Sequence, residues 1–344
     1  MRDQTAKTPK RNNPASNPKM KMSTALRRYL YATAAITGAA VLIIEILGAK
    51  MLAPYVGTSH FVWTAQIAVT LVALSMGYYL GGCLVDRATR LGQLYGCILV
   101  AAIYLSLVVL ICEPVAYWCL QFRLALGALI ASALLFLVPL TLLGATGPFL
   151  VRILAQSLQG VGGQVGRLSA VSTLGSLAGT VLIGYVLIPF FPNSITMLFT
   201  TGLLIIVSLT YFFVWQKRER SEGQVILGVL MALILGASGI LRDNSTHIPG
   251  VVEIYRANSN FGLLQVFEQT NIKGRIFLND YLPQNGYDPI QQRSLFPFTY
   301  MLHGLARAYN AHINDVLCIG MGVGIVPMRF AREGARVDVV EINP

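Results

Sequence analysis

Long apolar segments are the feature that most constrains how this chain of 344 residues folds. A helix needs about 20 apolar residues to cross the hydrocarbon core of a bilayer, and its backbone groups bond one another in lipid. Only 12% of the residues are charged, and the mean hydropathy is +0.61. The sequence therefore predicts a multi-pass α-helical membrane domain. Its predicted spans are Tyr29–Ala49, Phe61–Cys83, Gly92–Cys112, Leu124–Leu143, Val165–Pro189, Ile195–Trp215 and Gln224–Leu241.

The excess of positive charge lies in the predicted membrane part. Residues 1–241 contain 17 Lys and Arg against 6 Asp and Glu, whereas residues 242–344 contain 9 of each. A nucleic-acid-binding protein would carry its basic surface on the soluble part, so nucleic acid is not an expected partner. Basic residues instead gather in the arm 1–28 and in alternate loops, with Lys50 and Arg123 on the opposite side. The positive-inside rule predicts a cytoplasmic N-terminus in a cell (inner) membrane, with the lipid bilayer as partner.

These patterns divide the chain into a basic arm over 1–28, a membrane domain of about seven transmembrane helices over 29–241 and a soluble tail over 242–344. The tail begins with short β-rich runs separated by Asn and Gly turns, which predict a small β element over 251–284. Helical spacing of apolar residues follows. The start of a Rossmann-like α/β fold is predicted over 293–344.

The sequence is compatible with either side of the membrane for the tail. Seven spans place it opposite the N-terminal arm. The last predicted span is the shortest and contains Gly228, Gly236 and Gly239, so a re-entrant segment is the alternative. A re-entrant segment would return the tail to the cytoplasm, where adenosyl cofactors are expected.

Polar and small residues inside the spans carry further predictions. Glu45 places a carboxyl in the first span, which is costly unless the side chain faces a polar interior. We expect Glu45 to face the inside of the bundle, either as a functional acid or as a structural one paired with a neighbour such as Lys50. Gly77-x-x-x-Gly81 and Gly175-x-x-x-Gly179 predict small helix faces where another helix approaches closely.

The five cysteines have no metal-ligand spacing, so no metal is expected. Cys112 and Cys119 flank one predicted loop. Apolar cysteines at helix ends are favoured there over a disulfide.

The end of the tail combines a buried-strand run, Asp315–Ile319, with a glycine-rich turn, a helix and a second strand that ends in an acid. Gly320, Gly322 and Gly324 allow a tight turn and close approach of a ligand to the backbone. Glu341 lies about 20 residues after the first glycine, where an acid accepts hydrogen bonds from ribose hydroxyls. The Gly-x-Gly-x-Gly spacing is typical of S-adenosyl-dependent transferases. The pattern favours a nucleoside-type cofactor site.

Several stretches together carry a family resemblance: "NSNFGLLQVFE", "GRIFLND", "LFPFTYMLHGLA" and "DVLCIGMGVGIVPMRFAREGARVDVVEIN". With the membrane stretch "LLGATGPFLVR", they resemble the fused membrane/spermidine synthase family, the polyamine aminopropyltransferases, from about Ala34 to Pro344. The resemblance implies transfer of an aminopropyl group from decarboxylated S-adenosylmethionine, or a related adenosyl thioether or sulfonium, to a small amine. It implies Gly320, Gly322, Gly324 and Glu341 as cofactor-binding residues.

The family's substrate positions are only partly kept. Val323 stands where the family has an acid that holds the amine of the donor. Gly262 stands at the place of a substrate-binding Gln, and Leu302 at the Glu of a Tyr-x-Glu motif. Tyr300 keeps the tyrosine of that motif, and Gln284 matches another substrate Gln with a shift of one residue. The resemblance therefore implies Gln284 and Tyr300 as the remaining substrate-binding residues.

The resemblance also implies a general base, an Asp in a later strand-end loop, that would lie beyond Pro344. No catalytic residue is assigned within the chain, because Asp280 and Asp288 are interpreted as turn residues of the β element. We therefore expect the chain by itself to transfer no aminopropyl group. It would be a fragment of a longer product or one half of a split gene, so a homo-oligomer or a missing C-terminal half is an expected partner.

Two other functions stay open. A transporter or sensor would carry its function in the spans, with Glu45 as the residue of interest and the tail as a vestigial nucleoside-binding element. A methyltransferase that acts at the membrane would share the same glycine loop.

Overall fold

The computed structural model describes residues 22–87, 90–155, 161–216, 228, 230–231, 234, 236–238, 250–259, 262–271, 274–280 and 282–342. The helices of the first part, in chain order, are α1 Thr24–Val56, α2 His60–Arg87, α3 Leu91–Cys119, α4 Leu124–Gly144, α5 Thr146–Leu154, α6 Val161–Leu182, α7 Ile188–Phe190 and α8 Asn193–Val214. Within the described ranges, six helical stretches are long and apolar enough to cross a membrane. They coincide with the first six predicted spans, whereas the seventh, Gln224–Leu241, lies largely outside the described residues.

Two of the six spans are interrupted. The fourth is interrupted at Ala145 and continues as α5. The fifth passes through a π-helical turn, Ile183–Leu187, on its way to α7. The cause is Pro189, which has no N–H to donate to the carbonyl of Tyr185 one turn earlier. The backbone hydrogen bonds before Pro189 therefore take the wider π-helical pattern.

Small residues set the closest helix contacts, as the sequence predicted. A Cβ added to Gly179 on α6 would lie 2.7 Å from the carbonyl oxygen of Ala39 on α1, and Gly175 meets Ala35 in the same way one turn earlier. The partner numbers rise together along both helices, so α1 and α6 run parallel. They therefore start at the same end of the bundle.

The second glycine pair packs α2 against the end of α4. Gly77 lies on the carbonyl of Thr141, and a Cβ on Gly81 would lie 2.7 Å from the Cα of Ala145. These helices also run parallel. Both predicted small faces are confirmed as sites of close helix approach.

The tail contains a five-stranded antiparallel sheet whose strands pair in sequence order. The strands are β1 Val251–Ser259, β2 Gly262–Gln269, β3 Arg275–Asn279, β4 Leu282–Asp288 and β5 Arg293–Ser294. The sheet thus runs on past residue 284 to Ser294. Asp280 closes the β3–β4 hairpin with a φ of 46°, a left-handed conformation that Asp tolerates better than most residues. Asp288 accepts hydrogen bonds from the backbone of Ile290 and Gln291, as expected of a turn residue.

A parallel β–α–β unit follows the sheet. Its elements, with the helix before them, are α9 Phe298–Tyr309, β6 Asp315–Ile319, α10 Ile325–Arg332 and β7 Arg336–Val340. Strands β6 and β7 pair in parallel, with Val316 opposite Val337. Arg307 and His303 on α9 both contact Glu333 at the end of α10, and the His303–Glu333 distance is 2.8 Å. The predicted order of elements is therefore present.

The sheet docks on the end of the bundle where α1 finishes. Lys50 Nζ lies 3.1 Å from Asp280 Oδ2 in the β3–β4 hairpin, and β1 lies against α7. Helix α8 ends at the other end of the bundle, because Gln216 after it lies beside Gly92 at the start of α3. The described part of the tail thus sits opposite the end at which α1 begins.

Candidate functional site

The glycine-rich turn after β6 has the backbone that the sequence predicted. Gly320, Gly322 and Gly324 have φ values of 88°, 53° and 76°, all in the region that favours glycine. Gly324 N donates to Met321 O at 2.9 Å and immediately precedes α10. A Cβ on Gly320 or Gly322 would meet open space, so a ligand can approach the backbone here.

Glu341 closes one side of this turn. Its Oε2 accepts a hydrogen bond from the Met321 N–H at 2.6 Å, and its Oε1 accepts one from the Ile342 N–H at 2.9 Å. The carboxylate is thereby held over the loop by two backbone donors. A carboxylate oxygen is a hydrogen-bond acceptor of the kind that a ribose hydroxyl needs.

The surroundings of the carboxylate are apolar and open. Met321 and Ile342, whose N–H groups bind it, expose their side chains to 50% and 70%. Such side chains offer contact to the flat face of an adenine ring, while Glu341 offers hydrogen bonds to a ribose. The residues present therefore fit an adenosyl group.

Tyr300 lies beside the helix that follows this loop. The guanidinium of Arg329 on α10 is 5.0 Å from the centre of the Tyr300 ring. The hydroxyl donates a hydrogen bond to the Ser294 carbonyl at 3.0 Å, which fixes it towards the end of the sheet. Its role towards a substrate stays a prediction.

Gln284 lies elsewhere, in a cavity of about 300 Å³ between the bundle and the β3–β4 hairpin. The cavity is lined by Ala49, Lys50, Ala53, Gly57, Thr58, Val62, Trp63, Asn279, Asp280, Leu282 and Gln284. This lining, within the described part of the chain, includes no residue of the glycine turn. The structure thus places the two predicted substrate residues in different surroundings.

Lys50 and Asp280, which both line this cavity, form an ion pair. Both side chains are partly exposed, at 26% and 30%. Asp280 is oriented by a second bond, because its Oδ1 accepts the Leu263 N–H at 3.1 Å. Asn279 Oδ1 is shielded beside it, and no hydrogen-bond partner lies among the residues described.

Glu45 is half-buried in α1, with Val41, Gly48 and Ala49 buried around it at helical spacing. The alternative in which Glu45 pairs with Lys50 is wrong, because Lys50 binds Asp280 instead. A function for Glu45 stays a prediction.

The spans also contain a buried amide that the sequence reasoning missed. Gln66 on α2 is 0% exposed and packs on Gly48, where an added Cβ would lie 2.7 Å from Gln66 Nε2. Neither polar atom of its amide has a hydrogen-bond partner among the described residues. A glutamine in an apolar span is the signal that would have identified it.

Cys112 and Cys119 are both buried and form no disulfide, in agreement with the preference for apolar helix-end cysteines. No group of three or more His, Cys, Asp or Glu side chains that could hold a metal occurs in the described part of the chain.

The fold defines a multi-pass membrane protein with a small sheet-containing tail. No protein family, curated protein or solved structure matches the chain.

Proposed function

We propose that the tail binds an adenosyl thioether or sulfonium at the glycine turn, as part of a membrane-bound spermidine synthase-like protein with a Rossmann-like α/β fold. The observation that carries this proposal is the Glu341 carboxylate, held 2.6 Å from the backbone N of Met321 in the turn. An acid at this place accepts hydrogen bonds from ribose hydroxyls, and the glycines let the nucleoside approach the backbone.

Each part of the site has a separate role in this proposal. Glu341 orients the ribose, the glycine turn excludes side chains from the ligand's path, and Met321 with Ile342 contacts the base. When bound, decarboxylated S-adenosylmethionine supplies a sulfonium whose neighbouring carbon an amine attacks. Val323, Gly262 and Leu302, at the family's substrate positions, have no group that accepts a proton from such an amine. The proposed role of the described residues is therefore to hold the nucleoside, with the amine-activating groups supplied from elsewhere.

A second candidate function is favoured by the way the tail docks. The hairpin binds the end of α1 opposite Thr24, and the positive-inside rule makes the arm before Thr24 cytoplasmic. On this basis the tail lies outside the cytoplasm. A sensor or transporter whose tail binds an external nucleoside, coupled to the first span through Lys50 and Asp280, fits that arrangement.

Calorimetric titration of the purified chain in detergent with 5′-deoxy-5′-methylthioadenosine tests the binding site itself. Loss of a charge-assisted acceptor costs about 1.5–3 kcal/mol, so Glu341→Gln should weaken binding by about one to two decades. Asp338→Asn is the matched control, because it removes a carboxylate from β7, the strand that leads to Glu341. Equal affinity of the wild type and Glu341→Gln would remove Glu341 from the site.

The two functions are then separated by activity. An aminopropyltransferase half should yield spermidine from putrescine and decarboxylated S-adenosylmethionine when a protein that carries the Asp-containing strand-end loop is added. A sensor or transporter should bind the nucleoside from the side opposite the N-terminal arm in proteoliposomes and yield no spermidine when that protein is added. Binding without transfer under the first condition favours the second function.

A further inference from the structure

The cavity between the bundle and the β3–β4 hairpin is a second place where the chain can bind a small molecule. It is formed by two separate parts of the sequence, the α1–α2 connection and the β3–β4 hairpin. Its volume of about 300 Å³ is at the lower end of the range for ligand sites. A ligand of amino-acid size fits this volume.

The two sides of the cavity differ in chemistry. Ala49, Ala53 and Val62 give the bundle side an apolar wall. The hairpin side offers Asp280 and Gln284, which with Lys50 at its edge can bond a polar ligand. A ligand here therefore meets charged and amide groups on one side and apolar surface on the other.

Charge complementarity decides the class of ligand. Among the described residues of the lining, Lys50 and Asp280 are the charged ones, and they lie 3.1 Å apart. A simple cation would be repelled by Lys50, and a simple anion by Asp280. A zwitterion, with an ammonium and an oxyanion in one molecule, satisfies both. Since partly exposed ion pairs are weak, such a ligand can replace the internal pair.

Two further residues favour the ammonium half. Asn279 Oδ1 is a shielded acceptor beside Asp280 with no hydrogen-bond partner in the described part of the chain. Trp63 lines the same cavity and is 38% exposed, and an indole ring attracts cations. The oxyanion half is left to Lys50.

The amide of Gln66 lies next to the bundle side of this cavity. Val62, in its lining, is one helical turn before Gln66, and helical side chains lean towards the start of their helix. Gly48, on which the amide packs, is adjacent to Ala49 of the lining. The buried amide therefore lies behind the apolar wall of the bundle side and is not itself part of the lining.

We infer that this cavity binds a small zwitterion, with its ammonium on Asp280 and Asn279 and its oxyanion on Lys50. The same chemistry occurs in a free molecule such as glycerophosphoethanolamine and in the headgroup of phosphatidylethanolamine. The apolar wall on the bundle side accommodates either source. The site is separate from the glycine turn, so the proposal of zwitterion binding does not depend on nucleoside binding.

Titration of the detergent-purified chain with glycerophosphoethanolamine tests the free form, with ethanolamine and glycerol 3-phosphate as single-charge controls. Thermal unfolding in nanodiscs of phosphatidylethanolamine or phosphatidylcholine tests the lipid form. We expect glycerophosphoethanolamine to bind the chain, or phosphatidylethanolamine to stabilise it, or both. We expect neither ethanolamine nor glycerol 3-phosphate alone to bind. Lys50→Gln and Asp280→Asn should each weaken it about ten- to a hundredfold, because each removes a charged hydrogen-bond partner.

Two more variants separate binding from folding. Gln284→Leu changes an exposed side chain of the lining and leaves the ion pair intact, and it should also weaken binding. Glu268→Gln breaks the Arg275–Glu268 pair of the same sheet outside the cavity and should leave binding unchanged. The inference is overturned if neither zwitterion binds or stabilises the wild type, or if Lys50→Gln, Asp280→Asn and Gln284→Leu bind as the wild type does. In either case the ion pair serves only to attach the tail to α1.

Discussion

Gly179 on α6 packs directly on the backbone of Ala39 on α1. A side-chain Cβ at residue 179 would lie 2.7 Å from the Ala39 carbonyl oxygen and 2.8 Å from its Cα. Backbone atoms cannot move aside as the end of a flexible side chain can, so this contact depends on the absence of a side chain. It fixes the distance and the parallel direction of the two helices.

Substituting this glycine should therefore destabilise the bundle. We expect Gly179→Ala to lower the free energy of unfolding by about 1–3 kcal/mol, the usual cost of overpacking. Thermal unfolding in detergent measures it. Gly166→Ala is the control, because a Cβ there meets open space on the same helix, and alanine favours a helix over glycine. A Gly179→Ala variant as stable as Gly166→Ala would show that the helices can separate freely.

Substitution of Gln66, whose amide is buried, should increase the free energy of unfolding, whereas substitution of Gly179 should lower it. Gln66→Leu replaces polar atoms that lack a partner by apolar ones of similar size, so we expect a gain of about 1–3 kcal/mol in the same assay. Thr70→Val should give no such gain, because its hydroxyl already donates to the Gln66 carbonyl at 2.9 Å. Destabilisation by Gln66→Leu would mean that the amide is bonded in the folded protein.

The contact between α9 and α10 should loosen in acid. A hydrogen bond from the Arg307 side chain, and then the charge of His303, lowers the pKa of Glu333 below its usual 4.5. A lowered pKa stabilises the folded state above the unfolded value, and this contribution is lost as the pH falls through the folded value. Hydrogen exchange of α9 and α10, corrected for intrinsic rates, should show lost protection below about pH 4.5.

Glu333→Gln provides the comparison for that experiment. It should show the weaker protection already at neutral pH and little change on acidification through this range. If the wild type and the variant lose protection in parallel, another group is responsible.

The docking of the tail predicts its side of the membrane. Ala25, near the start of α1, and Gln284, in the docked hairpin, are both exposed and lie at opposite ends of the bundle. In a background without the five native cysteines, an impermeant maleimide added outside intact cells should label Gln284→Cys and spare Ala25→Cys. Labelling of both, or of Ala25→Cys alone, would contradict this arrangement.

The parts of the fold that the sequence predicted are those with local causes. Each span is specified by its own run of apolar residues, and the turn by Gly320, Gly322 and Gly324 in one short segment. The glycine pairs could be recognised from their spacing of four, although their partners on other helices could not. Strand β2 and strand β3 likewise follow from short runs bounded by turn residues.

The contacts between distant segments could not be predicted in this way. Lys50 and Asp280 are separated by 230 positions, and nothing near either residue indicates the other. Asp86 is next to Arg87 in the sequence, yet its carboxylate lies 3.8 Å from the guanidinium of Arg152 in α5. Which charges meet depends on how helices and sheet pack, and this packing has no local signature in the chain.

The contact between α1 and α6 has a consequence for how the protein is made. Ala39 leaves the ribosome 140 positions before Gly179, the residue on which it packs. At roughly 5–20 residues per second, the first span waits on the order of 10 s for its partner. During that interval the surface of α1 that includes Ala35 and Ala39 faces lipid, the insertion machinery or another newly made helix. Assembly of this bundle is therefore completed late in synthesis. Until the fifth span is made, a second chain nearby can compete for this surface of α1.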